Sequence, residues 1–295
     1  VTAMAAPYPV GVIGVGNMGA GMAANLLARG WPVRVCDLDP VRTAELTSQG
    51  AEVRASGSLI AMDSTAIIVC VVDAAQTEAV LFGPDGAAGA LRPGQAVLLC
   101  PTIAPQDTED FARRLAALGV HAIDAPLSGG PVRARDGSMS LMVACADAAF
   151  EAHRGLIETL SSRVFRISRR PGDGARTKLV NNLLAGINLV GAAEVLALAE
   201  RMGLDPGATL DVIEQSSGQS WIGSDRMRRA VAGDYAPRAH VTLLEKDTRL
   251  AVQAARAAGF DGPLGARVSA VFAQAREAGL AGEDDAAIFK LLRKT

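Results

Sequence analysis

PVGVIGVGNMGAGMAANLLARG, residues 9–30, decides the fold. It opens on a short β-branched run, turns through Gly14-x-Gly16-x-x-Gly19 and leaves as a helix rich in Ala, Leu and Met. Such a turn is a weak signal by itself in a chain with 31 glycines, because a tight strand–helix turn with nothing bound uses the same letters. The next segment gives it meaning: a second strand-like run, PVRVCD, ends in Asp37, eighteen residues after Gly19. In a dinucleotide-binding βαβ unit the first glycine makes the turn, the second admits the pyrophosphate and the third lets the helix close on the strand. The helix N-terminus then faces the phosphates. Asp37 is placed to accept the hydroxyls of an adenosine ribose and to repel a 2′-phosphate, so the pattern reads as NAD-binding rather than NADP-binding. Leu38 follows where an arginine would serve a phosphate, and Arg42 reads as a solvated residue on the next helix.

Outward from that unit the alternation continues. Strand-like runs TAIIVCVV, QAVLLC and VHAIDAP alternate with helices over 40–49, 75–81 and 105–118, and SMSLMVA and RVFRI flank a helix over 148–160. These runs are almost continuously apolar, as when both faces of a parallel sheet are covered. Near residue 170 the strand patterns stop. GARTKLVNNLLAGINLVGAAEVLALAERMG reads as one helix roughly 45 Å long at about 1.5 Å per residue. Further helices follow over 207–215, 223–232, 241–258, 263–277 and 284–292. The expected architecture is α/β: an N-terminal doubly wound Rossmann domain over 1–170 and a C-terminal all-helical domain over 171–295, joined by a long interdomain helix.

The 295 residues are 49% hydrophobic but only 4% aromatic, with a formal net charge of −2. That balance leaves no basic field for nucleic acid or anionic lipid, so an anion must be held by local geometry. Cys36, Cys70, Cys100 and Cys145 fall in or beside apolar runs and never as CxxC. They read as free thiols of a reducing, cytoplasmic compartment. VTAMAAPYP has neither the basic flank nor the apolar stretch of a secretory leader. Asn188 and Glu194 interrupt the apolar run near 183–199, which argues against a membrane span. His121, His153 and His240 share no spacing that fits a triad or a metal site, and His121 reads as core.

Twenty-five arginines stand against four lysines, Lys178, Lys246, Lys290 and Lys294. The last two belong to a solvated tail. Lysine, unlike arginine, can lose its proton when desolvated. Asn182 lies four residues after Lys178, so both side chains share one helix face, an arrangement suited to acid/base work. A lysine snorkelling from a helix end beside asparagines that tie down a loop gives the same pattern. DAPLSGGP, residues 124–131, presents Ser128, Gly129 and Gly130 between prolines, a hydroxyl with successive unhindered N–H groups that suits a carboxylate. It is not a GxSxG turn, so a serine nucleophile is not expected.

With these residues in place the chain resembles the β-hydroxyacid dehydrogenase family, which includes 3-hydroxyisobutyrate dehydrogenase, tartronate semialdehyde reductase and, more distantly, 6-phosphogluconate dehydrogenase. GVIGVGNMGAGMAANL, DAPLSGGPVRARDGSMSLMVA, GDGARTKLVNNLL and LLEKDTRLA carry the resemblance, which spans essentially the whole chain. It implies NAD-dependent oxidation of a small hydroxy acid, without a metal. Lys178 is implied as general acid/base, with Asn182 beside it, and Ser128, Gly129 and Gly130 as the holders of the substrate carboxylate. Gly14, Gly16, Asn17, Met18, Gly19 and Asp37 are implied to hold NAD, with Val72, Asp73 and Thr102 at its nicotinamide half. Lys246, followed by Asp247, is implied to close over cofactor and substrate. A free lysine titrates at about 10.4, so the base role requires that burial and the positive nicotinamide ring favour the neutral amine. Several relatives carry an aromatic where Ala239 stands, which leaves room for a bulkier hydroxylated acid. VVDAAQTEAVLFGPDG, GQSWIGSDRMRRAVAGDYAP and GEDDAAIFKLL turn the substrate reading toward four-carbon sugar acids. 3-Hydroxyisobutyrate and tartronate semialdehyde are the rival substrates, and a silent dinucleotide-binding sensor is the non-enzymatic rival. Relatives form dimers or tetramers, which implies a homodimer or homotetramer.

Overall fold

The computed structural model describes residues 6–294, so the first five residues of the VTAMAAPYP stretch lie outside the described residues. The chain forms two compact units divided between Lys178 and Leu179. The first is built on β1 (Val10–Ile13), β2 (Val33–Cys36), β3 (Glu52–Val53), β4 (Ala66–Val69), β5 (Ala96–Leu99), β6 (His121–Asp124), β7 (Leu127–Ser128), β8 (Ser140–Ala144) and β9 (Arg163–Ser168). Its helices are α1 (Asn17–Ala28), α2 (Pro40–Thr47), α3 (Gly57–Asp63), α4 (Ala74–Phe82), α5 (Pro105–Ala117), α6 (Gly130–Asp136) and α7 (Asp147–Leu160).

The order β3-β2-β1-β4-β5-β6 is parallel throughout. Successive side chains of a strand point to opposite faces. Val12, Ile68 and Leu98 therefore pack on one side with Met22 and Leu26 of α1, and Ile13, Ile67 and Leu99 on the other with Ile60, Leu81 and Phe111. The two covered faces explain the uninterrupted apolar runs. Beyond β6 the parallel expectation needs correcting. β8 runs antiparallel to β6, where Asp124 faces Ala144, and antiparallel to β7, while β9 runs parallel to β8. An apolar run has the same composition whichever way its neighbour points, so direction was not legible in the letters.

The second unit consists of α8 (Asp173–Arg201), whose first residues belong to the first unit, α9 (Pro206–Glu214), α10 (Trp221–Val231), α11 (Val241–Ala257), α12 (Gly265–Ala275) and α13 (Ile288–Leu292). The helix expected over 263–277 ends earlier: a wide-turn segment follows it and is broken at Gly279, φ 84°. The helix expected to start at 284 begins with a 3-10 turn, Asp285–Ala287. Leu189, Ala193 and Leu196 of α8 pack with Met227, Val268, Phe272 and Phe289. By length and composition α8 is apolar enough to cross a bilayer, an 18-residue stretch of it having a mean hydropathy of 1.6. Asn188 and Glu194 by themselves do not take α8 out of that range. What marks α8 as a core helix is the packing of its apolar residues within its own unit.

Candidate active site

The glycines after β1 have three different environments. Gly14 has φ 87°, and a Cβ there would stand 2.7 Å from the Cys70 carbonyl oxygen at the end of β4. A Cβ on Gly19 would meet the Gly14 carbonyl oxygen at 1.9 Å, so α1 can approach the turn only because this residue has no side chain. Gly16 differs. A Cβ there would meet one atom from elsewhere in the fold, Arg42 Nη1 at 3.4 Å. Gly16 is also the N-cap of α1, and no side chain caps it. The first N–H groups of α1 are left for an anion. Turn, opening and close packing are the three properties a dinucleotide loop requires, so Gly14, Gly16 and Gly19, with Asn17 and Met18 between them, fit NAD(P). A fourth glycine, Gly21, escaped the sequence reading. A Cβ on it would meet Ala134 Cβ at 2.9 Å and Pro131 O at 3.0 Å, so it docks α6 on α1 and fixes the Ser128–Gly130 turn relative to the loop.

Asp37 follows β2. Its Oδ2 accepts Val15 N–H at 2.7 Å and its Oδ1 accepts Asp39 N–H at 2.9 Å. Each oxygen keeps a lone pair for a ribose hydroxyl. At the ends of β4 and β5 lie Val72 and Thr102. Asp73 is the N-cap of α4, accepting Gln76 N–H at 2.8 Å, so its side chain already has a structural task.

Ser128 ends β7 opposite Ser140. Gly129 and Gly130 follow with φ of 133° and 79°, conformations that favour glycine. A Cβ on Gly129 would strike Arg133 Cδ at 2.8 Å.

Asp124, at the end of β6, is a functional candidate that sequence reading missed. It is 1% exposed, accepts Gly172 N–H at 2.7 Å and Ala175 N–H at 3.1 Å, and so caps the start of α8. Burial pushes its carboxyl up to about 6, against the pull of the Ala175, Gly172 and Gly174 N–H groups. A Cβ on Gly174 would stand 2.9 Å from Asp124 Cγ, so this carboxylate and this helix meet only through a glycine. Arg176 adds an ion pair to Glu109. These anchors tie the first residues of α8 to the first unit, which runs to Lys178. One turn after the cap comes Lys178, 7% exposed. Its helix is therefore fixed at the end nearest the amine.

In the second unit, Asn182 is buried and donates Nδ2–H to Asp247 Oδ2 at 2.6 Å, while its Oδ1 accepts from Asn181 Nδ2 at 3.0 Å. Lys246 Nζ lies 3.1 Å from Asp247 Oδ1. Asp247, 6% exposed, thus joins two candidate residues that lie 64 positions apart in the chain. Nothing local in the sequence announces that bond. Ala239 contributes its main chain, with its N–H to Asp284 Oδ2 and its carbonyl accepting Asp285 N–H.

The chain is similar to known proteins over nearly its whole length. A family model of the NAD-binding domain of 6-phosphogluconate dehydrogenase matches residues 9–168, and one described as the NAD-binding part of NADP-dependent 3-hydroxyisobutyrate dehydrogenase matches 172–292. L-Threonate dehydrogenase of Cupriavidus necator is 39% identical over 282 residues, 96% of this chain and 95% of its own. The crystal structure of 3-hydroxyisobutyrate dehydrogenase from Salmonella typhimurium matches with a TM-score of 0.91 and 38% identity, over 96% of this chain and 99% of that one. Psf3 in complex with NADP+ and 2-OPP matches with a TM-score of 0.88 and 28% identity, over 96% and 99%. The chain belongs to the β-hydroxyacid dehydrogenase family. It is an NAD(P)-binding oxidoreductase acting on the CH–OH group of a small hydroxy acid.

Proposed function

We propose that the protein is an NAD-dependent dehydrogenase of a four-carbon sugar acid, with L-threonate the favoured substrate. The observation that carries the reading is a buried lysine on a helix whose start is capped by a buried carboxylate. Bound NAD supplies the hydride acceptor. Lys178 takes the alcohol proton at Nζ, a role that requires the neutral amine. The ammonium then stabilises negative charge on the substrate oxygen, so no metal is needed. Ser128, Gly129 and Gly130 receive the substrate carboxylate. Asn182, held by Asp247, orients substrate one helical turn from Lys178, and Lys246 assists at cofactor and substrate. Asp37 favours NAD by accepting the ribose hydroxyls, with Val72, Asp73 and Thr102 serving the nicotinamide half.

The likeness to L-threonate dehydrogenase supports this substrate, and the likeness to a solved 3-hydroxyisobutyrate dehydrogenase supports that acid as the second reading. Val180, Leu184, Val195, Leu198 and Met202 stand exposed at helical spacing along α8 and just beyond it, an apolar stripe suited to a homodimer or homotetramer. The free thiols suit a cytoplasmic setting. Three- and four-carbon hydroxy acids, offered with NAD and with NADP, test the assignment. NADH formation fastest with L-threonate is expected, a preference for 3-hydroxyisobutyrate moves the protein to the second reading, and no turnover with any acid leaves a dinucleotide-binding sensor.

A further inference from the structure

Gly186 is buried in the middle of α8, four residues after Asn182 and on the same face of the helix. Its backbone is helical, so no positive φ calls for glycine, and alanine would make a firmer helix interior. The reason for glycine lies in α11. A Cβ on Gly186 would stand 2.7 Å from Thr248 Cγ2, with Val268 Cγ1 at 3.3 Å and Phe272 Cε2 at 3.4 Å. The first approach is closer than two carbons come without strain. A Cβ on Gly191, later in the same helix, would meet nothing within 4 Å. Thr248 cannot turn its methyl aside, because it is fully buried and its Oγ1 donates to Leu244 O at 2.7 Å, which fixes χ1. Thr248 directly follows Asp247, whose Oδ2 accepts Asn182 Nδ2–H at 2.6 Å. Two neighbouring contacts therefore set the spacing of α8 and α11: glycine against threonine, and amide against carboxylate.

We propose that Gly186 is a positioning residue for the reaction: lacking a side chain, it lets α11 lie close enough to α8 for Asp247 to hold Asn182 in place. The proposal rests on the reading of Asn182 as a residue that orients substrate. With a Cβ on residue 186, ordinary carbon–carbon contact would require Thr248 to move away by about 1 Å. Asp247 is its chain neighbour and moves with it. A bond of 2.6 Å opened by that amount is no longer a hydrogen bond. Asn182 then loses its anchor, and Lys246, paired to the same carboxylate, shifts as well. Gly186 acts without touching substrate. Removing one methyl from the other side of the crossing should reverse the effect, because serine at 248 lacks Cγ2 and keeps the hydroxyl that bonds Leu244.

The test is steady-state kinetics of the full chain with NAD and L-threonate, beside NADH titration and thermal unfolding, for wild type, Gly186→Ala, Thr248→Ser and the double variant. Gly186→Ala should lower kcat by about 10²-fold and raise KM for the hydroxy acid several-fold. NADH affinity should stay within about threefold of wild type. A larger unfolded fraction would lower kcat but leave KM where it was, so KM separates positioning from folding. Thr248→Ser alone should stay within about threefold of wild type, and the double variant should recover at least about tenfold of the lost kcat. Wild-type kcat and KM in Gly186→Ala would overturn the proposal. So would a fall in kcat with KM unchanged, a loss that Thr248→Ser does not reverse, or a Gly186→Ala chain that does not fold, which would make the glycine a requirement of folding. A wild type that turns over no hydroxy acid removes the reading of Asn182, and this proposal with it; an active wild type matched by Gly186→Ala removes the proposal alone.

Discussion

The carboxylate of Asp124 accepts the main-chain N–H of Gly172 at 2.7 Å, fixing the start of α8 to the end of β6. Asp124→Ala would leave the Gly172 and Ala175 N–H groups buried without an acceptor, at a cost of about 2–4 kcal/mol. Denaturant unfolding should show that loss, and turnover should fall because the turn carrying Lys178 loosens. Asp124→Asn keeps an acceptor and should stay close to wild type at low pH.

The same carboxyl sets a pH dependence. Its pKa of about 6 lies above its unfolded value, so between about pH 4 and 6 the folded chain holds a proton that the unfolded chain has lost. Its contribution to stability is present below that window and lost as pH rises through it. Relative to wild type, Asp124→Asn should gain about 2–3 kcal/mol between pH 4 and pH 7. A stability difference that does not change with pH would contradict this assignment.

His153 acts in the opposite sense. It is 3% exposed, bonded through Nδ1 to Tyr8 Oη at 2.7 Å, with the His121 ring 6.3 Å away. Burial, helped by the charge of His121, lowers its pKa to about 4. The unfolded chain takes up a proton below about 6.5 that the folded chain refuses, so stability falls as pH drops toward 4. His153→Gln should lack about 2 kcal/mol of wild type's loss between pH 7 and pH 5. Equal acid sensitivity in the two proteins would count against a neutral buried imidazole.

Gly16 and Gly19 separate binding from folding. A Cβ on Gly19 would collide with the main chain of Gly14, so Gly19→Ala should lose about 3 kcal/mol of stability. Gly16→Ala has room and an ordinary φ of −64°, so its stability should change by less than about 1 kcal/mol. Its methyl group would stand where a dinucleotide must approach, and NADH affinity should fall by about tenfold or more. Unchanged affinity in Gly16→Ala would argue that the opening holds no dinucleotide.

Asp247 is buried with Asn182 and Lys246 as its partners. Asp247→Ala removes both partners at once and should reduce kcat by about 10²-fold while NADH binding to the first unit is kept. Asp247→Asn retains an acceptor for Asn182 and should lie between. If both variants retain wild-type kcat, Asn182 does not depend on this bond.

Much of this was legible in the chain because it is local. Gly14, Gly16 and Gly19 with Asp37 occupy one βαβ unit, and the strand runs are marked by burial on both faces. The edge strand β3 and the helices α3 and α6 were too short for a periodicity to show. Asp124 went unassigned because its partners at Gly172 and Ala175 are about fifty residues downstream, and an aspartate at a strand end has the same appearance whether it caps a helix or faces water. Asp247 bonds Asn182 across 65 residues.

The most direct test of the account is the turnover of Lys178→Ala and Lys178→Arg with NAD and the best hydroxy acid, measured beside NADH affinity. Both variants should lose about 10³-fold in kcat and bind NADH within about threefold of wild type, arginine failing because it cannot give up its proton. Turnover within tenfold of wild type in either variant would show that the proton leaves by another group.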